Sequence, residues 1–279
     1  MPTFDTPEPI SVSLEVAIGD ARIIAGDRTD TVVEVRPADE SKELDRKIAD
    51  QTRVEFANRT LLVKTPRQHT LFGKPGSIDV VIELPTGSDV RGRSAIAALR
   101  TEGCLGDCKF KTALGDIAID QAGSLDLSSA AGDIAVDRAT GHAEITTGSG
   151  ALRLGVIDGP MVVKNSNGTT SIGEVTGDLR VNAANGDITI GVTHADVDAK
   201  TANGSIRVGE VVRGSVDLRT ALGELEIGIR EGTAAWLDVS SKAGSLRNSL
   251  TESDGPDQAK ETVEVHARTT LGDIVIHRA

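Results

Sequence analysis

The sequence predicts an all-β chain. The expected fold is a parallel β-solenoid of β-helix or β-roll type, with two strands per coil of about eighteen residues and an irregular N-terminal β cap. Three observations predict it. Between Gly106 and Gly232 a glycine returns about every nine residues, usually followed by an apolar–any–apolar triplet. The glycines fall into two interleaved classes, within which most steps are eighteen residues. The positions flanking them form columns of like residues from coil to coil.

Each copy supplies a turn and a strand. Glycine enters left-handed backbone without a Cβ penalty, and the alternation after it is that of a strand with one buried face. Clear copies are Gly115-Asp116-Ile117-Ala118-Ile119 and Gly186-Asp187-Ile188-Thr189-Ile190. Nine residues are too few for a helical crossover, so each strand pairs with its counterpart one coil away, about 4.8 Å distant. The first class starts at Gly115, Gly132, Gly150, Gly168, Gly186, Gly204, Gly223, Gly244 and Gly272. The second starts at Gly123, Gly141, Gly159, Gly177, Ala195 (in place of glycine) and Gly214.

Aliphatic pairs such as Ile134/Val136, Ile206/Val208, Leu179/Val181 and Val216/Leu218 are the expected core, with Thr170 as a polar interruption. Three residues before most first-class glycines stands a short polar residue: Thr112, Ser129, Thr147, Asn165, Thr201, Thr220, Ser241 or Thr269. Such side chains bond turn backbone. Five residues after the first-class glycines stand Gly155, Gly173, Gly191, Gly209 and Gly228, marking a bend repeated on five successive coils. The period slips by one residue near 211–213 and by about three near 233–236. Residues 248–262 read as a loop extruded from the solenoid, after which the strand pattern resumes to a free C-terminal end.

Seven of nine prolines precede residue 86, so the first part is organised differently. Residues 1–92 are read as the cap and residues 93–279 as the solenoid. Strands are expected at 10–16, 21–24, 31–35, 60–63 and 78–84, and a short helix within 39–50, with Leu44 and Ile48 one turn apart. A cap is required because an uncovered end coil exposes core and strand edge.

A net charge of −12 argues against nucleic acid, whose binding needs basic patches. Aromatics make up 2% of residues, too few for stacking platforms that hold sugars or bases. No apolar run reaches membrane-spanning length, and the opening Met-Pro-Thr-Phe lacks a leader pattern. The expectation is a cytoplasmic protein with no membrane or nucleic-acid partner.

Cys104 and Cys108 lack further ligands at metal spacing and read as small buried or semi-buried thiols. The Gly-Asp turns at Asp116, Asp133, Asp178, Asp187 and Asp273 depart from the calcium nonapeptide and read as turn residues bonding their own backbone. His69, His142, His194, His266 and His277 show no metal spacing, and no nucleophile elbow or phosphate loop is present. No catalytic, metal or cofactor residue is therefore expected. One outward column is acidic: Asp126, Glu144, Asp198, Asp217 and Asp238. Lys164, Lys200 and Arg219 stand where they neutralise it diagonally. It reads as a charge-laced solvated face or a docking face for a basic partner.

The leading Phe4-Asp5-Thr6-Pro7-Glu8-Pro9-Ile10, the segments Asp30–Val35 and Ile82–Gly87, and the repeated Thr-x-x-Gly-Asp-Ile resemble a bacterial family. It is the β-strand-repeat family catalogued as domain of unknown function 4097 and labelled "putative adhesin", in its actinomycete form. The resemblance covers essentially the whole chain. It implies a β-solenoid and no established activity, cofactor or catalytic residue. A non-enzymatic cytoplasmic scaffold that binds a protein partner is expected. The rivals are a filament that self-associates through solenoid ends and a surface adhesin.

Overall fold

The computed structural model describes residues 1–66, 75–250 and 261–279. The chain divides into two units, Met1–Ala139 and Thr140–Ala279. Unit 1 holds β1 (Thr3–Asp5), β2 (Ser11–Gly26), β3 (Asp30–Pro37), α1 (Glu43–Gln51), β4 (Arg53–Ala57), β5 (Thr60–Lys64), β6 (Ile78–Pro85), β7 (Asp89–Glu102), β8 (Cys108–Leu114), β9 (Ile117–Ala122), β10 (Leu125–Ala131) and β11 (Ile134–Ala139). Unit 2 holds β12 (Ala143–Ser149), β13 (Leu152–Ile157), β14 (Met161–Asn167), β15 (Thr170–Val175), β16 (Leu179–Asn185), β17 (Ile188–Thr193), β18 (Val197–Asn203), β19 (Ile206–Val211), β20 (Gly214–Leu222), β21 (Leu225–Ile229), β22 (Thr233–Ala243), β23 (Leu246–Asn248), β24 (Glu261–Leu271) and β25 (Ile274–Arg278). The expected parallel β-solenoid is present in each.

In unit 1 the parallel ladder starts earlier than the glycine period. β2 and β7 each run a whole coil, and they pair with one another from Ser11↔Asp89 to Ile24↔Glu102. The two strands expected at 10–16 and 21–24 are thus one, carried through its corner by Gly19 at φ +145°. β7 then pairs its first half with β8 and its second with β9. On the far side of β2, β5 and β6 pair parallel to it. Antiparallel strands cover those in turn: β4 on β5, β3 on β6 and β1 on β3. Phe4 and Phe56 meet at 5.3 Å between ring centres. On the helix Ile48 is buried while Leu44 is exposed. This is the irregular β cap, and it closes the N-terminal edge of the ladder. In the core Phe110 lies opposite Gly92, where a Cβ would sit 2.6 Å from its ring. Cys108 is inward between Val90 and Leu125.

In unit 2 one ladder runs β12–β14–β16–β18–β20–β24–β22. The other runs β13–β15–β17–β19–β21–β25–β23. Register steps are eighteen residues through Thr193↔Val211 and nineteen at Val197↔Val216, so the added residue lies between Val211 and Val216. The two ladders also correct the expected order. The C-terminal strands are not at a free end. β24 and β25 insert between the coil of β20–β21 and the coil of β22–β23. The coil Thr233–Asn248 is therefore last in space, though not in sequence. Residues 251–260, within the stretch read as an extruded loop, lie outside the described residues.

The glycine corners fix this order. Gly150, Gly168, Gly186, Gly204, Gly223, Gly272 and Gly244 stack in that sequence. At each from Gly168 onward, an added Cβ would lie 1.9–2.1 Å from the carbonyl oxygen of the glycine before it. Gly186 (φ +132°) and Gly272 (φ +148°) also hold backbone that other residues rarely adopt. The polar column bonds across the same corner. Thr220 Oγ1 donates to Gly204 O at 2.8 Å, Thr269 Oγ1 to Gly223 O at 3.1 Å and Ser241 Oγ to Gly272 O at 2.8 Å. Asn165 Nδ2 donates to Thr170 Oγ1 at 3.3 Å, which accounts for the polar step in the core. The second glycine column also packs backbone on backbone, a Cβ on Gly191 meeting Gly173 O at 2.3 Å.

Gly186→Ala adds both the clash and the strained φ, so it should cost at least about 2 kcal/mol. Exposed Asn185→Ala should stay within about 1 kcal/mol. Urea unfolding midpoints check the pair, and equal midpoints would contradict the corner argument.

Candidate functional site

Outward side chains of the β12–β22 ladder form columns set by the spatial order. Through Glu144 the column reads Glu144, Val162, Arg180, Asp198, Asp217, His266, Asp238. Asp198 and Asp217 are thus direct neighbours, and His266 stands between Asp217 and Asp238. Glu144 is separated from Asp198 by two residues, and Asp126 belongs to unit 1. Counter-charges meet these carboxylates: Lys164 Nζ lies 3.1 Å from Glu144, Lys200 Nζ 2.8 Å from Asp198, and Arg268 3.0 Å from Asp238. Arg219 pairs with Asp217 and Lys109 with Asp126. Exposed pairs of this kind contribute little each, about 0–1 kcal/mol. Their work is to neutralise a column that would otherwise repel itself.

The insertion of β24 builds the densest cluster. His266 places Nδ1 3.3 Å from Asp238 Oδ2 and Nε2 2.9 Å from Glu264 Oε1. Trp236 meets its ring edge-on at 5.6 Å. The His266 imidazole and the Arg268 guanidinium hold the Asp238 carboxyl below its usual range. Beside them a groove of about 670 Å³ is lined by Asp196, Arg213, Ser215, Trp236, Glu261 and Glu264, among others. The sequence missed this grouping because Trp236 and Glu264 become neighbours only through the inserted strand.

Among the described residues the terminal coil of unit 2 is less covered than the coils beneath it. Inner inward positions such as Val216, Leu218, Val265 and Ala267 are fully or almost fully buried. Their counterparts Leu237 and Val239 are only half-buried. Leu246 and Trp236 are 49% and 59% exposed. β22 pairs on one side with β24, and among the described residues its other edge has no strand partner.

Other sequence candidates have structural work. Asp116, Asp187 and Asp273 accept backbone N–H from Asp133, Ser205 and Ser245 at 2.9, 2.8 and 2.7 Å. These bonds reach the neighbouring coil, not the residue's own turn as expected. His194 lies 2.9 Å from Glu174 and His277 3.3 Å from Glu226. His69 lies outside the described residues. Among the described residues no His, Cys, Asp and Glu cluster could hold a metal ion, and no helix is long and apolar enough to cross a membrane. Both cysteines are free; Cys108 is buried and Cys104 exposed, the latter against expectation. Cys104 is exposed because it lies just before β8, outside the inward alternation that holds Cys108. Burial pushes the Cys108 thiol up to about 12.

Among known families, the model described as Toastrack DUF4097 matches residues 11–278. No curated protein matches the sequence. Among solved structures, a "putative adhesin" of Bacteroides fragilis NCTC 9343 is 11% identical, with 99% of this chain and 95% of that one covered and a TM-score of 0.39. One of Parabacteroides distasonis ATCC 8503 is 13% identical, with 100% and 95% covered and a TM-score of 0.34. A "putative cell adhesion protein" of Clostridium sporogenes ATCC 15579 is 10% identical, with 100% and 98% covered and a TM-score of 0.23.

Two outcomes are expected. A carboxyl with a depressed folded pKa adds stability above its unfolded value and loses it as pH falls through the folded one. Asp238→Asn should therefore unfold more easily than wild type at pH 7. The difference should vanish as pH falls through the ordinary carboxylate value near ~3.9 and then the lower folded one. A gap that persists in acid contradicts the ion cluster. Native protein should react with a thiol reagent at Cys104 alone and reveal Cys108 only on unfolding. Two fast-reacting native thiols would contradict that burial.

Proposed function

We propose that this chain, which belongs to the Toastrack DUF4097 family, is a non-enzymatic interaction scaffold whose docking element is the terminal coil of unit 2. The observation that supports it is the contrast in burial between that coil and the coils beneath it. Leu237, Val239 and Leu246 occupy positions of the inward ladder, yet they are half-buried or exposed. An uncovered apolar stripe next to an unpaired strand edge is a template for another chain. The coils behind it form a continuous parallel ladder that holds the edge in place. Binding there needs no basic surface and no aromatic platform, consistent with a net charge of −12 and 2% aromatic residues. Its partner is a protein, and its place is the cytoplasm. The rival reading, a surface adhesin, puts the same edge outside the cell.

A photoreactive residue in place of Trp236, expressed in the native cell, should give a discrete protein adduct. The same residue in place of Thr189, outward on an inner coil, should give far less. Equal labelling at both positions would contradict the docking role. Cell fractionation separates the rivals: cytosolic protein supports the scaffold, and protein in the surface fraction supports the adhesin.

A further inference from the structure

We infer that β22 pairs antiparallel with β22 of a second copy of the chain, about a two-fold axis at Ser240. This rests on the docking role of the terminal coil and names its occupant.

The edge is long and poorly defended. β22 has eleven residues, with no proline and only Asp238 and Lys242 as charges. Natural edges are usually shortened, bulged, covered or charged. The N-terminal edge of unit 1 is covered in this way, by β1, β3, β4 and α1. A parallel ladder continued from end to end would need an open edge there as well. The edge of unit 2 that has no strand partner among the described residues is therefore best met by its own copy, in a closed two-fold contact.

Side-chain parity supports this. In an antiparallel pair about a residue, every residue faces one of the same parity. Leu237 and Val239 of one copy then lie on the same face as those of the other, and the apolar stripes join. Two-fold centres at neighbouring residues differ in what they oppose. A centre at Val239 sets Asp238 against Ser240 and Trp236 against Lys242. A centre at Ser241 leaves Asp238 opposite the corner beyond Ala243, with no strand partner. The centre at Ser240 sets Asp238 against Lys242 twice and Leu237 against Ala243, all within the strand. Lys242 is exposed and has no ion-pair partner among the described residues, and the Asp238 side chain is 41% exposed. Opposite charges facing each other across strands are favourable. Charge thus selects Ser240.

The test uses the full chain carrying Cys104→Ser, so that the exposed native thiol is gone and Cys108 stays buried. Ser240→Cys then puts two thiols across the axis, within the Cα separation that a disulfide spans. Under mild oxidation it should form a disulfide-linked dimer at least about tenfold faster than Ser171→Cys, an outward serine on β15. Without the new cysteine, the protein should sediment as a monomer–dimer equilibrium, and Lys242→Glu should weaken that dimer about tenfold. Equal cross-linking at Ser240→Cys and Ser171→Cys would overturn the proposal, as would an unlimited series of larger species. A strict monomer at every concentration would overturn it too. If the monomer still gives the Trp236 adduct with a different protein in cells, the docking role stands and only the second copy is excluded.

Discussion

Everything in this structure depends on how closely one glycine corner sits on the next. Within unit 2 the carbonyl oxygen of each first-class glycine lies where a Cβ of the following one would be. Only a residue without a side chain can take that place, and at most of these corners the backbone is left-handed as well. The contact sets the vertical spacing of the coils. It also sets the register in which inward Ile, Leu and Val meet their own kind. The polar column then ties the corner to the glycine carbonyl of its neighbour, as at Gly204, Gly223 and Gly272, and gives those backbone acceptors a side-chain partner.

That contact is blind to chain order. Gly223 accepts Gly272 as readily as it would accept Gly244, because the two present the same turn and the same strand. The C-terminal strands can therefore enter the stack one coil early and leave Thr233–Asn248 outermost. The consequence is functional. The displaced coil carries Trp236, Leu237 and Val239 in an end position, with nothing above them among the described residues. The inserted strand brings His266 and Arg268 against Asp238, which fastens the outer coil to the stack. Unit 1 covers its N-terminal edge, while among the described residues the terminal coil of unit 2 is left open.

The coil, its two strands and its columns were legible in the sequence because they follow from local chemistry. Turn glycines, period-two alternation and short polar residues act within a few positions of one another. Thr170 and Asn165 show the same logic one step further, a polar pair visible as two exceptions in two columns. The insertion was not legible. A period gives the shape of a coil but not the identity of its neighbour, and the three added residues near 233–236 were the only trace. The acidic column shared that fate: Asp217 and Asp238 belong to one column, yet His266 between them is forty-nine residues downstream of the first. In unit 1 the whole-coil strands β2 and β7 were hidden because they pass the corner at Gly19 and Ala97 without the repeated turn motif. The strands β1 and β4 are too short and polar to announce themselves.

The central claim is that β24 and β25 are interior to the stack while β22 and β23 form its outer coil. Backbone hydrogen exchange resolved to single strands tests it most directly. With the inserted order, amides of β24 and β25 exchange slowly despite lying at the C-terminus, and those of β22 and β23 exchange faster. If the C-terminal strands exchange fastest and β22 is as protected as β20, the coils follow the chain and the account is wrong.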